Sequence, residues 1–88
     1  MIEKDFKIKN KLGLHARPAA LFVQLTTRFK SQIKVVKDGQ EADGKSIMGL
    51  MLMAAENGSS IRVRAHGPDE MEAVAAIGDL FDRKFDEE

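Results

Sequence analysis

Only a few residues of this chain have the types and spacing to do chemistry, and most of them fall in one short run, Gly13-Leu14-His15-Ala16-Arg17-Pro18-Ala19-Ala20. The hydrophobic period changes there from strand-like to helix-like, so a helix starting at Ala16 would have His15 at its N-cap. Pro18 fits the first turn, where N–H groups lack intrahelical partners anyway. A residue before proline resists helical dihedrals, which sets a mild strain at Arg17. Gly13 gives the chain freedom to turn sharply before the histidine. At such a position the unpaired amides and the positive end of the helix dipole disfavour a second cation. They keep the imidazole uncharged and nucleophilic, and they favour an anion once one is attached. Arg17 adds a permanent cation whose planar donors suit phosphate oxygens. A neutral nucleophile beforehand and a stabilised dianion afterwards are the requirements of a phosphohistidine. The grip has to stay moderate, because a carrier that holds too tightly cannot donate.

The other histidine, His66, lies among charged neighbours on the outward face of a strand and reads as a solvated polar residue. Ser46 precedes a helical segment and reads as its N-cap. That segment, Ile47 to about Ala55, is apolar almost all round through Ile47, Met48, Leu50, Met51, Leu52 and Met53. One side must cover a core. In a two-layer domain a short helix cannot bury every side, so the remainder suits docking, and methionine adapts to partners of differing shape. Lys45 and Arg17 would flank such a patch with positive charge and steer an acidic partner.

The elements that must position these groups follow from period. Ile2 to Lys9 alternates as a half-buried strand, with Lys4 as its inward misfit. Leu21, Phe22, Leu25 and Phe29 recur at helical spacing across Ala16 to Phe29. Ile33 to Val36 is a β-branched strand, Asp38-Gly39 a tight turn, and Gln40 to Asp43 the return strand. Ile61 to His66 alternates again. Gly67-Pro68-Asp69-Glu70 opens a helix with an apolar stripe through Met71, Val74, Ala75, Gly78, Phe81 and Phe85. The order β-α-β-β-α-β-α implies an α+β fold, one sheet with helices covering one side. A ferredoxin-like split arrangement shares much of this order, and pattern alone leaves both open.

Composition excludes several function classes. Eighty-eight residues make one domain, residues 1–88, with 43% hydrophobic and 32% charged residues. Lys plus Arg equals Asp plus Glu at 14 each, which argues against non-specific nucleic-acid binding. The absence of cysteine rules out disulfides and cysteine-based zinc sites. The longest apolar stretch is too short to cross a bilayer, and Met1 to Asp5 has no signal-peptide core. A cytoplasmic chain without membrane insertion is expected. There is no nucleotide-binding Gly-rich loop and no carboxylate cluster for magnesium, so self-phosphorylation from ATP is not expected. A hydrolase using His15 as base lacks a nearby Ser or Cys nucleophile. No metal or cofactor is expected.

The run Gly13 to Ala19, with its histidine in register, resembles the active-site signature of the HPr family, the histidine-containing phosphocarriers of the bacterial phosphotransferase system. Lys45-Ser46-Ile47-Met48-Gly49-Leu50 resembles the second landmark of that family, and the likeness extends over essentially the whole chain. The resemblance implies an HPr-like open-faced two-layer β/α sandwich, with an antiparallel sheet in the order 1-4-2-3 and three helices on one face. It implies that His15 is phosphorylated on Nδ1 by enzyme I, itself charged from phosphoenolpyruvate, and passes the group to an EIIA-type acceptor. It is then a phosphoryl-transfer intermediate rather than a stand-alone enzyme. Arg17 maps onto the family arginine that contacts the phosphoryl group, beside the Ala16 and Arg17 backbone amides. In members whose counterpart of Ser46 is modified, a dedicated HPr kinase/phosphorylase is a further partner, and phosphate at that position places charge in the docking surface. A different class of function is a regulatory binding module of the same fold, acting through the Ile47–Met53 helix without turnover. The Asn10 to Gly13 lead-in, the Leu50 to Leu52 run and the Phe85 to Glu88 end look like the nitrogen-related branch. Ser46 to Gly49 looks like the sugar-transport branch, so both stay open.

Overall fold

A computed structural model describes residues 1–86. Strand β1 (Ile2–Lys7) leads through a loop to helix α1 (Ala16–Thr26). The hairpin β2 (Gln32–Lys37) and β3 (Gln40–Asp43) follows, then helix α2 (Ile47–Leu52), strand β4 (Ser60–His66) and helix α3 (Glu70–Asp82). A short turn at Lys84–Asp86 ends the described chain. The sheet has the order β1-β4-β2-β3, and every pairing is antiparallel. This is the open-faced sandwich that the resemblance implied, and not the split arrangement.

Alternation sets the two faces of the sheet. Ile33, Val35, Ile61, Val63 and Ala65 are buried under the helices. There they meet Phe22 of α1, Leu50 of α2, and Ala73, Ile77, Leu80 and Phe81 of α3. Phe81 stacks on Phe6 with ring centroids 5.0 Å apart and meets Phe85 edge-on at 4.9 Å. The other face carries charges in register. Asp5 lies opposite Arg62 and Glu3 opposite Arg64, with ion pairs at 2.9 and 2.5 Å. Arg64 and Lys34 are also directly opposite, and Glu41 bridges that like-charge contact at 3.2 and 4.0 Å. The open face thus neutralises itself, and its arginines do not form a cationic stripe.

Several boundaries differ from the sequence expectation. Helix α1 stops at Thr26, not Phe29: Arg28 and Phe29 donate to the carbonyls three residues back, Leu25 and Thr26, each at 3.1 Å, and the Thr26 hydroxyl turns inward to the Gly44 carbonyl at 2.7 Å. Helix α2 stops at Leu52, not near Ala55, because Ala54 adopts a left-handed φ of 51°. Phe85 is buried but lies outside α3, in a turn where Lys84, Phe85 and Asp86 all have positive φ. Lys4 does lie on the inward face, opposite the buried Val63 and on the side of Phe6, but at the rim of the helix layer its side chain escapes burial. It is exposed, with its ammonium 5.6 Å from the Phe6 ring centroid. His66 is exposed at the end of β4, as its alternation implied.

Candidate functional site

His15 is the N-cap residue of α1, with extended dihedrals of φ −85° and ψ −165°. Its carbonyl accepts the first intrahelical bond, from the Ala19 N–H at 3.0 Å. The amides of Ala16 and Arg17 precede that bond, and Pro18 has none to offer, so the helix opening that follows His15 presents these two N–H groups. The His15 side chain itself does not cap the helix. The residue is half-buried, with Nε2 enclosed by protein. Arg17, two residues on, is exposed.

A loop held at several points brings the ring to this place. The buried Asn10 donates from Nδ2 to the Gly13 carbonyl at 2.7 Å. Asn57 donates to the carbonyls of Lys9 and Asn10, each at 3.1 Å, and so ties the loop to the segment before β4. Leu14 donates its N–H to the Ala55 carbonyl at 2.9 Å. Gly13 makes this approach feasible. Its φ is +71°, and a Cβ there would lie 2.4 Å from the Ala55 oxygen. Sequence reasoning found Gly13 through its conformational freedom. It missed Asn10 and Asn57, whose partnership spans 47 positions of chain and leaves no local pattern.

Next to the ring is a shallow hollow of about 270 Å³, lined by Leu12, Leu14, His15, Met51, Ala54, Ala55 and Glu56. Larger hollows lie between β3 and α2 (about 570 Å³) and on the open sheet face (about 440 Å³), and neither includes His15. The histidine is therefore offered at a surface and not enclosed, which suits transfer between proteins better than capture of a small substrate.

Helix α2 packs against α1 and resolves the question of its own apolar sides. Leu50 and Met53 point into the core, whereas Ile47, Met48, Met51 and Leu52 are 42%, 69%, 42% and 76% exposed. Leu12, 70% exposed, extends this surface toward His15. It had escaped notice because a single apolar residue in a loop has no periodicity to betray it. Ser46 caps the helix by accepting the Gly49 N–H at 3.0 Å. Lys45 donates its ammonium to the Phe29 carbonyl at 2.8 Å, so the charge is anchored beside α1 instead of hanging free over the patch. Among the described residues, no cluster of His, Cys, Asp and Glu could hold a metal ion, and no helix is long and apolar enough to cross a membrane.

Fold and site together define a class: a small open-faced β/α sandwich that presents a histidine at a helix opening, beside an arginine and an exposed apolar helix. A family model described as "PTS HPr component phosphorylation site" matches residues 2–83. Phosphocarrier protein HPr of Treponema pallidum is 49% identical over 88 residues, covering all of both chains. The HPr-like protein Crh of Halalkalibacterium halodurans is 52% identical over 77 residues, 88% of this chain and 92% of that one. The crystal structure of HPr-C-His from Thermoanaerobacter tengcongensis superposes with a TM-score of 0.96 at 51% identity, covering 100% of this chain and 99% of that one. The chain belongs to the HPr family of phosphocarrier proteins, and its function is phosphoryl transfer in the phosphoenolpyruvate-dependent phosphotransferase system.

Proposed function

We propose that His15 is the residue that carries the phosphoryl group, accepting it on Nδ1 from enzyme I and donating it to an EIIA-type protein. The observation that carries this reading is the placement of His15: half-exposed, extended, and directly ahead of the Ala16 and Arg17 amides. Enclosure of Nε2 favours Nδ1 as the attacking nitrogen. In the forward step the lone pair of Nδ1 forms the N–P bond while the donor's own bond to phosphorus breaks. The donor side chain leaves with the electron pair. The Ala16 and Arg17 amides and the Arg17 guanidinium then face the dianion, and the same groups release it when an acceptor nucleophile attacks in line. Positioning and electrostatics supply the help, and no residue of this chain is needed as a base.

Residues 1–88 act as one domain in this reading, and the exposed face of α2 is its docking surface. Ile47, Met48 and Met51 make the contacts. Lys45, held on the Phe29 carbonyl, contributes to the field that steers an acidic partner. A second reading, that of a regulatory binding module controlled at Ser46, is favoured by two observations. The Ser46 hydroxyl lies at the opening of the same helix that would dock, and Crh-type proteins are among its relatives. A kinase of the HPr kinase/phosphorylase type would convert that cap into a dianion within the docking face.

The test is a reconstituted relay. Incubation with enzyme I and phosphoenolpyruvate should give an acid-labile adduct seen by intact mass, absent from His15→Ala and discharged on adding an EIIA protein. An adduct that persists in His15→Ala, or no adduct beside an active donor, contradicts the reading.

A further inference from the structure

We propose that Glu56 sets how loosely the phosphoryl group is held on His15, a reading that rests on His15 being the acceptor. Glu56 lines the same hollow as His15, and the other residues around it, Leu12, Leu14, Met51, Ala54 and Ala55, are apolar. Glu56 is thus the one acidic residue in that wall.

Its place there is fixed. The Leu14 N–H is bonded to the Ala55 carbonyl at 2.9 Å, and a Cβ on Gly13 would come within 3.0 Å of the Glu56 Cα. The Glu56 N–H donates to Ser59 Oγ at 3.1 Å, and its carbonyl accepts from the Ser59 N–H at 3.0 Å and the Ser59 hydroxyl at 2.5 Å. The backbone of Glu56 is therefore clamped against the loop that ends in His15.

The charge is also not spent elsewhere. Glu3, Asp5 and Glu41 on the open sheet face are each matched by a cation, whereas Glu56 forms no ion pair among the described residues. A phosphoryl dianion on His15 is attracted by Arg17 and the helix amides on one side and repelled by Glu56 on the other. In a loose, metaphosphate-like transition state the transferring group carries less negative charge than in the ground state. Repulsion from Glu56 therefore raises the bound dianion more than the transition state and speeds its departure. When water is the acceptor, its oxygen bonds to phosphorus as the N–P bond breaks and the ring nitrogen recovers its electron pair; one proton of the water leaves on the orthophosphate and the other passes to the imidazole or to bulk water.

The experiment loads wild type, Glu56→Asp, Glu56→Gln and Glu56→Lys with enzyme I and phosphoenolpyruvate. It then measures the phosphohistidine lifetime after removal of the donor, and the equilibrium between charged enzyme I and charged carrier. A lifetime and an equilibrium share that rise from Glu to Gln by roughly two- to fivefold, and again to Lys, with Asp near wild type, are expected. The spread should shrink as salt is added. A merely structural role for Glu56 would not order the variants by charge. Normal loading with lifetimes independent of charge overturns this inference and leaves the carrier reading intact; failure of the wild type to load at His15 overturns both.

Discussion

Leu14 donates its backbone N–H to the carbonyl of Ala55 at 2.9 Å, so the residue before His15, the proposed carrier, is bonded directly to the segment that follows α2, the proposed docking helix. Together with the Asn57–Asn10 bond, this contact joins the loop that carries His15 to the segment that carries the exposed apolar helix. A displacement of either segment moves both.

Gly13 is the position where that junction is most exposed to substitution. With φ at +71° and the Ala55 oxygen 2.4 Å from any Cβ, Gly13→Ala combines backbone strain with a clash against main chain. It should cost about 2 kcal/mol or more and slow loading of His15 beyond what the lost stability explains. Urea denaturation together with the initial rate of transfer from enzyme I measures the two effects separately.

Ala54 offers the opposite change. Its φ of 51° is unfavourable for any residue with a Cβ, and glycine removes that penalty. Ala54→Gly should raise stability by about 1 kcal/mol, the relief of strain being partly offset by glycine's freer unfolded chain. A raised midpoint in thermal or urea unfolding is the expected result.

Leu50 and Met48 separate the core from the proposed docking surface within one short helix. Leu50 is fully buried and Met48 is 69% exposed. Leu50→Ala should lose about 2–5 kcal/mol through the cavity it leaves. Met48→Ala should leave the unfolding midpoint within about 0.5 kcal/mol and weaken binding to enzyme I, as titration calorimetry would record. Equal effects of the two on stability would remove the basis for calling this face a docking surface.

Asp69 gives the fold a pH dependence whose sign can be worked out. Its carboxylate accepts from the Ser31 hydroxyl at 2.5 Å and from the Lys30 and Ser31 amides at 2.9 Å. The Ser31 hydroxyl and then the Lys30 amide hold its pKa below the usual carboxylate value. The folded state therefore binds this proton less readily than the unfolded state. The contribution is fully present above the ordinary carboxylate range and disappears as pH falls below about 4. Glu70 acts in the same sense, held down by the Gly67 amide and then by the N-terminal ammonium. Melting temperature followed against pH should fall on acidification in wild type and fall less steeply in Asp69→Asn, whose Tm is lower from the start.

Much of this architecture was legible in the sequence because each signal was local. Alternation in β1 and β4, the Asp38-Gly39 turn and the Ser46 cap all use neighbours within a few residues, and each has its expected place in the structure. The histidine stood out for the same reason, since Gly13, His15, Arg17 and Pro18 bracket a change of period. What stayed hidden was non-local or ran against propensity. The Asn10–Asn57 bond joins two loops, and Thr26 is buried only because the Gly44 carbonyl comes to meet it. Ala54 ends α2 although alanine is the best helix former, a case of tertiary context overriding preference. Burial of Leu50 beside exposed Met51 could not be read from a helix that is apolar on every side.

In the proposed relay the phosphoryl group rides on Nδ1 of His15. Nitrogen–phosphorus NMR on histidine-labelled protein, loaded with enzyme I and phosphoenolpyruvate, tests it most directly. One coupled pair is expected, at Nδ1 of His15, with His66 unchanged. A coupling at His66 or at Nε2 of His15, or unaltered ring signals beside a working donor, would contradict it.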